Sequence, residues 1–124
     1  MPVILVVDDS NIMREMIVAC LRPVEDVSFA HAASGLEAIE CLSLKAYDLV
    51  VLDLNMPDIG GFEVIEFIRA QDRLKELPIL VVTTRGDQGS RERALGSGAS
   101  GFIAKPFTPD QILHEVKNLL PAAA

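Results

Sequence analysis

Short runs of apolar residues alternate with longer segments of mixed character along the whole chain. The runs span residues 3–7, 27–32, 49–54, 79–83 and 101–104. Three of them consist almost entirely of Val, Leu and Ile. A strand without a polar face is covered on both sides, which is typical of a parallel sheet flanked by helices. The pattern therefore predicts five parallel strands.

The segments that follow the runs carry apolar residues at helical spacing. Predicted helices span residues 11–21, 34–43, 61–71, about 88–97, and 108–120. Ser34, with Glu37 three residues later, and Thr108, followed by Pro109, are typical of helix N-termini. The fourth helix is predicted to be the weakest, because glycines lie in or beside it and each interior Gly costs about 1 kcal/mol relative to Ala.

The apolar positions also predict which helix faces are buried. In the first helix the expected buried stripe consists of Met13, Met16, Ile17 and Cys20, and in the second it begins at Leu36. Ile12 and Ala19 flank the first stripe and Val18 lies on the outer side of the helix, so we expect a mildly apolar outer face there that docks a partner protein.

Strand and helix alternate five times with short connections, and right-handed crossovers leave few topologies for such a chain. We predict an α/β fold, a doubly wound (βα)₅ sandwich around a five-stranded parallel sheet. The 124 residues are enough to bury a substantial core, and we expect one domain over residues 1–124.

The composition narrows the classes of partner. The chain has 18 acidic and 11 basic residues, a formal charge of −7 and no basic cluster, which argues against direct contact with nucleic acid. It has no apolar run long enough to span a bilayer and no basic N-terminal start of a signal peptide, so we expect no membrane insertion and a cytoplasmic location.

Polar residues gather where the predicted strands end. Asp8 and Asp9 follow the first strand, Asp53 ends the third, Thr83 the fourth, and Lys105 follows the fifth. Ligands of open parallel α/β sheets bind outside the carboxyl ends of the strands, so we expect these side chains to share one edge. Taken singly, each is equally well explained as an ordinary polar strand end, and Asp8 or Asp9 as a helix cap.

Together these residues predict phosphoryl chemistry. Two carboxylates about 4 Å apart repel by about 4 kcal/mol at an effective dielectric constant near 20, so three need a cation, and hard oxygen ligands suit Mg²⁺. An ammonium and a hydroxyl can hold phosphoryl oxygens. A carboxylate placed between the two sets, as Asp53 is, can attack phosphorus and form an acyl phosphate.

Four motifs with their spacing resemble the receiver domain of two-component response regulators. They are VVDDS, VVLDLNMPDIGG, LPILVVTT and GASGFIAKPF, and the resemblance covers about residues 3–120. In length the chain is most similar to single-domain chemotaxis-type regulators. The resemblance implies the flavodoxin-like strand order 2-1-3-4-5.

The resemblance also implies roles for the three acids at the strand ends and for Thr83. Asp53 matches the phosphoacceptor. Asp8 and Asp9 match the acidic pair that, with Asp53 and the backbone carbonyl of Asn55, binds Mg²⁺ or Mn²⁺. Thr83 matches the hydroxyl that moves onto the phosphoryl group.

Lys105 completes the implied phosphoryl site, and Phe102 completes the implied switch. Lys105 matches the lysine that pairs with the phosphoryl group, and the Lys105–Pro106 bond is expected to be cis. Phe102 lies where the family keeps an aromatic switch residue that works with Thr83. Because Phe102 has no hydroxyl where many members carry Tyr, any switch there acts by packing.

Two residues on the rim of the site are less typical. Thr84 occupies a position where the family usually has Ala or Gly, so the rim is expected to be tighter. Arg85 is either a solvated loop charge or a contact to the phosphoryl group.

The implied function is a signalling switch, not an enzyme beyond its own phosphorylation and dephosphorylation. A histidine kinase or a histidine phosphotransfer protein would donate the phosphoryl group, and we expect it to dock on the outer face of the first helix, at Ile12 and Val18. The helix 4, strand 5 and helix 5 face would then bind a target or a second copy of the chain. A stand-alone regulator is favoured, and a receiver cut from a longer regulator with a DNA-binding or enzymatic output domain is the alternative.

Two other classes need residues that the chain lacks. A phosphatase of the haloacid-dehalogenase kind uses a second Asp two residues after its nucleophile, where this chain has Asn55. A flavin or nucleotide module would need a phosphate-cradling glycine-rich turn after the first strand, and none is present.

Overall fold

The computed structural model describes residues 2–120, in which strands and helices alternate along the chain. The strands are β1 (Val3–Val7), β2 (Ser28–Ala32), β3 (Leu49–Leu52), β4 (Ile79–Thr83) and β5 (Gly101–Ala104). The helices are α1 (Asn11–Leu21), α2 (Gly35–Leu44), α3 (Gly61–Ala70), α4 (Gln88–Ser97) and α5 (Pro109–Leu119). All ten predicted elements are present. Residue 1 and residues 121–124 of the predicted domain lie outside the described part.

The five strands form one parallel sheet in the order β2-β1-β3-β4-β5, which confirms both the predicted fold class and the implied strand order. β1 pairs with β2 on one side and with β3 on the other, so the winding reverses between β1 and β3. The carboxyl ends of these two strands form the switch point at which doubly wound sheets bind their ligands.

Two separate apolar clusters cover the two faces of the sheet. Alternate residues of each central strand point to opposite faces, so both sets of side chains are buried, and this explains the uninterrupted apolar runs. One cluster joins the sheet to α2, α3 and α4, and the other joins it to α1 and α5. The sheet residues of the first cluster include Leu5, Val7, Val50, Leu52, Ile79 and Val81, and those of the second Ile4, Val6, Leu49, Val51, Leu80 and Val82.

The buried face of α1 differs from the prediction. Val18 is only 7% exposed and belongs to the core, so the prediction that it lies on an outer docking face is wrong. Met16, which was expected in the buried stripe, is 48% exposed. The cause is Arg14, which is 8% exposed and occupies the same stripe as Ile17 and Val18. A charged residue inside the stripe shifts the apparent phase of the apolar pattern.

A similar shift occurs in α2. Its buried positions are Gly35, Ala38 and Leu42, and Leu36 is 52% exposed, contrary to the prediction. Two small residues in the stripe let α2 approach the rest of the fold closely. The predicted cap is confirmed, since the Ser34 hydroxyl accepts a hydrogen bond from the Glu37 amide at 3.1 Å.

Within residues 2–120, no helix combines the length and apolar character needed to cross a bilayer.

Candidate functional site

The four strand ends singled out in the sequence meet at one edge of the sheet. Asp8 and Asp53 follow the neighbouring strands β1 and β3, and the Asp53 amide donates to the Val7 carbonyl at 3.0 Å. On the other side, Lys105 follows β5 and its amide donates to the Thr83 carbonyl at 2.7 Å. The parallel register of the sheet therefore brings all of these residues to one place.

The acids at this edge form a compact cluster. Asp8, Asp9 and Asp53 each offer a carboxylate oxygen, and these oxygens lie within 4.8 Å of one another. Asp8 and Asp53 are only 1% and 6% exposed, while Asp9 is exposed. Mg²⁺ takes oxygen ligands and is usually held by one or two carboxylates with several waters. The donor set therefore fits a hard divalent cation.

Helix capping does not account for these acids. The N-cap of α1 is Ser10, whose hydroxyl accepts from the Met13 amide at 3.1 Å. Asp8 instead accepts from the Ser10 amide at 2.9 Å with one oxygen. Its other oxygen remains directed at the cluster and at Lys105.

Lys105 lies between two of the carboxylates. Its Nζ is 2.7 Å from Asp8 Oδ2 and 3.7 Å from Asp53 Oδ2, and its side chain is 10% exposed. The closer partner is thus Asp8, which the sequence did not indicate. Because three carboxylates face one ammonium group, the site keeps a net negative charge that a divalent cation would offset.

Opposing influences act on the pKa of the Asp53 carboxyl. Burial raises the pKa of its carboxyl above the ordinary value, and the nearby charge of Asp8 raises it further. The charge of Lys105 and hydrogen bonds from the Asn55 amide and the Thr83 hydroxyl act in the opposite direction on this pKa. The Asn55 amide lies 3.3 Å from Asp53 Oδ1. The net shift of the Asp53 pKa is upward, so burial outweighs the groups that favour the charged carboxylate.

Comparison with known proteins shows which family the chain belongs to. The model of the response regulator receiver domain matches residues 4–117. The chemotaxis protein CheY1 of Helicobacter pylori is 40% identical over 113 residues, which cover 90% of each chain. This chain belongs to the response regulator receiver domain family.

Solved structures agree with that assignment. The chemotaxis response regulator CheY4 of Vibrio cholerae superposes with a TM-score of 0.88 at 32% identity, covering 97% of this chain and 99% of that one. The receiver domain of a sensor histidine kinase from Pseudomonas aeruginosa, with a magnesium ion coordinated in its active-site cleft, has a TM-score of 0.85 at 28% identity. That likeness covers 95% of this receiver and 96% of the other chain. The fold shared with these proteins is that of a signalling switch.

Two side-chain contacts lie at the rim of the receiver site. The Asn55 side-chain amide donates to the Thr84 hydroxyl at 3.0 Å, so the unusual Thr84 does bridge the rim. The Arg85 guanidinium lies 5.4 Å from the centre of the Phe62 ring. Arg85 is exposed, as expected of a solvated loop charge, and its contact to a phosphoryl group stays a prediction.

Phe102 is half-buried beneath α4. It packs against the core cluster that contains α2, α3 and α4, and the Arg91 guanidinium lies 5.7 Å from its ring centre. The Lys105–Pro106 bond is cis, as the resemblance implied.

Sequence reasoning missed Arg14. Its guanidinium donates to the Asp8 backbone carbonyl and to the Asn11 side chain, and its Nε donates to His31 Nδ1 at 3.3 Å. A buried cation thus supports the loop that carries the acidic pair. The available signal was an arginine inside the apolar stripe of α1, at a position where a solvent-facing residue is not expected.

Proposed function

We propose that this receiver accepts a phosphoryl group on Asp53, with Mg²⁺ or Mn²⁺ bound beside it, and thereby switches a partner-binding face. The donor is a histidine kinase or a histidine phosphotransfer protein. The observation that carries the proposal is the buried Asp53 carboxylate, placed within one cluster with two further carboxylates and one lysine.

In the transfer step an Asp53 oxygen attacks the phosphorus of a phosphohistidine. The new P–O bond forms as the P–N bond breaks, and the imidazole leaves with the electron pair and takes up a proton. Lys105 Nζ, at 3.7 Å from Asp53 Oδ2, is close enough to turn from Asp8 to a phosphoryl oxygen. Thr83, which is fully buried beside Asp53, supplies a hydroxyl donor.

The metal would be held by Asp8, Asp9, Asp53 and the backbone carbonyl of Asn55. When bound, it supplies positive charge against the phosphoryl oxygens and the carboxylates. The magnesium ion in the cleft of the Pseudomonas aeruginosa receiver supports this choice of cation.

The signal would leave through Thr83 and Phe102. Movement of the Thr83 hydroxyl towards the phosphoryl group vacates space that the half-buried Phe102 ring can enter. α4, β5 and α5 are the elements next to that ring, and we assign the binding of a target or of a second copy to their outer face. A stand-alone regulator in the cytoplasm, as one receiver domain, is our preferred form, and the Helicobacter pylori relative, 90% of whose length is matched, supports it. Another relative is matched over only 51% of its length, as expected for the alternative of a receiver in a longer regulator.

Phosphorylation by acetyl phosphate tests the proposal without a partner protein. With Mg²⁺ the protein should gain one hydroxylamine-labile phosphate, detectable as an added phosphoryl mass. Asp53→Asn should abolish the labelling, and Asp9→Ala should weaken both Mg²⁺ binding and labelling while the protein stays folded. Normal labelling of Asp53→Asn would remove the proposed acceptor.

A further inference from the structure

The loop between β3 and α3 reaches across to the start of α2. Asp58, near the tip of this loop, accepts two hydrogen bonds from successive backbone amides of α2. Its Oδ1 lies 3.1 Å from the Gly35 nitrogen and its Oδ2 lies 3.0 Å from the Leu36 nitrogen. One carboxylate thus uses both oxygens on a different element, more than twenty residues away in sequence.

This contact is close and well matched in charge. The two amides belong to the first turn of α2, where the helix dipole favours an anion. The hydrogen bonds lower the pKa of the Asp58 carboxyl, although its side chain is exposed. A Cβ atom at Gly35 would lie 2.3 Å from the Ile59 carbonyl oxygen, so the two backbones touch beside the carboxylate.

The other end of the same loop is also fixed. The Gly61 amide donates to the Leu54 carbonyl at 3.2 Å, and a Cβ atom at Gly61 would lie 2.6 Å from the Asp53 carbonyl oxygen. Between these two anchors runs the backbone of Asn55, whose amide contacts Asp53 and whose side chain contacts Thr84. The loop is therefore held at both ends while its middle borders the acidic cluster.

We propose that Asp58 is a positioning residue for the metal site, because it ties the β3–α3 loop to α2 and so sets the place of the Asn55 carbonyl. This inference rests on the proposed function, in which that carbonyl binds Mg²⁺. Mg²⁺ demands nearly ideal octahedral geometry, so small displacements of a backbone ligand weaken binding. Asp58 touches no ligand atom and acts through the loop.

Two consequences distinguish this role from simple helix capping. Removal of the Asp58 carboxylate should weaken Mg²⁺ binding at least about threefold, less than the roughly 10–100-fold typical of losing a direct partner of a metal ligand. In the wild-type protein, the Gly35 and Leu36 amide resonances should shift when Mg²⁺ is added, although α2 supplies no ligand.

The test is a titration of the whole chain with Mg²⁺ alone, followed by calorimetry and by amide NMR at physiological salt. Asp58→Ala is compared with Ser34→Ala, which removes the other cap of α2 without touching the loop. Glu63→Gln removes an exposed charge from the first turn of α3 and controls for electrostatics at long range. Asp58→Asn, which keeps one acceptor oxygen, should bind Mg²⁺ with intermediate affinity.

We expect the weakest Mg²⁺ binding in Asp58→Ala and intermediate binding in Asp58→Asn, with Ser34→Ala and Glu63→Gln close to wild type. Equal weakening in Asp58→Ala and Ser34→Ala would show that α2 stability, not the loop, controls the site, and would overturn the inference. Unchanged affinity in a folded Asp58→Ala would overturn it too, while leaving the proposed function intact. A wild-type protein that binds no Mg²⁺ would overturn the proposed function as well.

Discussion

α3 and α4 lie on the same face of the sheet, yet they are attached to it by different means. α3 buries Phe62, Val64, Ile65 and Ile68 against the core. α4, of the same length, buries only Ser90 and Ala94. Burial of apolar surface therefore fixes α3, and other contacts must fix α4.

Hydrogen bonds and a cation–π contact attach α4 to the rest of the fold. The Asp87 carboxylate accepts from the Ser90 amide at 2.9 Å, and the last turn ends at Gly98 in a left-handed conformation. Arg69, on α3, donates to the Gly98 carbonyl at 2.9 and 2.8 Å. The Arg93 guanidinium lies 3.9 Å from the centre of the Phe62 ring.

The difference shows where the fold can change at low cost. Elements with few buried apolar contacts open with a lower free energy than the core. α4 contacts β5, which carries Phe102, and follows β4, the neighbour of the strand that precedes Asp53. It is therefore placed to respond to the proposed phosphorylation of Asp53, while α3 holds the end of the β3–α3 loop.

The largest expected effect is a difference in the free energy of unfolding between an apolar truncation in α3 and one in α4. Ile65→Ala, at a fully buried position of α3, should lower the free energy of unfolding by about 2–5 kcal/mol. Leu95→Ala, at a position of α4 that is 39% exposed, should lower it by less than about 1 kcal/mol. Urea unfolding of both variants measures the contrast, and similar losses would contradict it.

The next effect concerns the polar attachment of α4. Arg69→Ala should cost about 1–3 kcal/mol, because the Gly98 and Leu77 carbonyls lose a charged donor. Hydrogen exchange should speed up at the C-terminal turn of α4 more than in the middle of α3. Arg91→Ala, an exposed change on α4 itself, is the control and should leave exchange at Gly98 unaltered. Faster exchange throughout α3 instead would show that Arg69 stabilises its own helix.

The smallest effect depends on pH. Hydrogen bonds from Ser90 hold the pKa of the Asp87 carboxyl below its ordinary value. A lowered folded-state pKa contributes stability above the unfolded value, near 3.9, and this contribution is lost as the pH falls through the folded value. Amide protection factors, which compare the observed exchange rate with the intrinsic rate at the same pH, should therefore fall in α4 below about pH 4 before they fall in α3. Asp87→Asn keeps a capping oxygen but does not titrate, so this variant should not show the early loss of protection in α4. If the loss persists in Asp87→Asn, Asp87 is not its cause.

The strands and the central residues of the site could be predicted from the sequence, because both depend on the pattern of apolar and polar residues within short segments. Uninterrupted apolar runs identify buried parallel strands, and the sheet then carries Asp53 and Lys105 to the same edge whatever their separation along the chain. Thr84 was recognised as unusual, but its bond to Asn55 depends on the meeting of two loops.

The errors have a common physical cause. Arg14 is buried because it satisfies its donors on the Asp8 carbonyl and on neighbouring side chains, a compensation that no hydropathy pattern contains. The position of Val18 was misjudged as a result. Asp58 and α2 are joined only in the folded chain, so that contact leaves no trace in either segment alone.

The most direct test of the link between Asp53 and the outer face is NMR with Mg²⁺ and beryllofluoride, a mimic of the phosphoryl group. Resonances of the Phe102 ring and of the α4 amides should shift, because in the proposed route Thr83, Phe102 and the weakly packed α4 move together. Amides in the middle of α3 should stay in place. Asp53→Asn should show none of these shifts. Shifts confined to the loops around Asp53, with Phe102 and α4 unchanged, would contradict the proposed route.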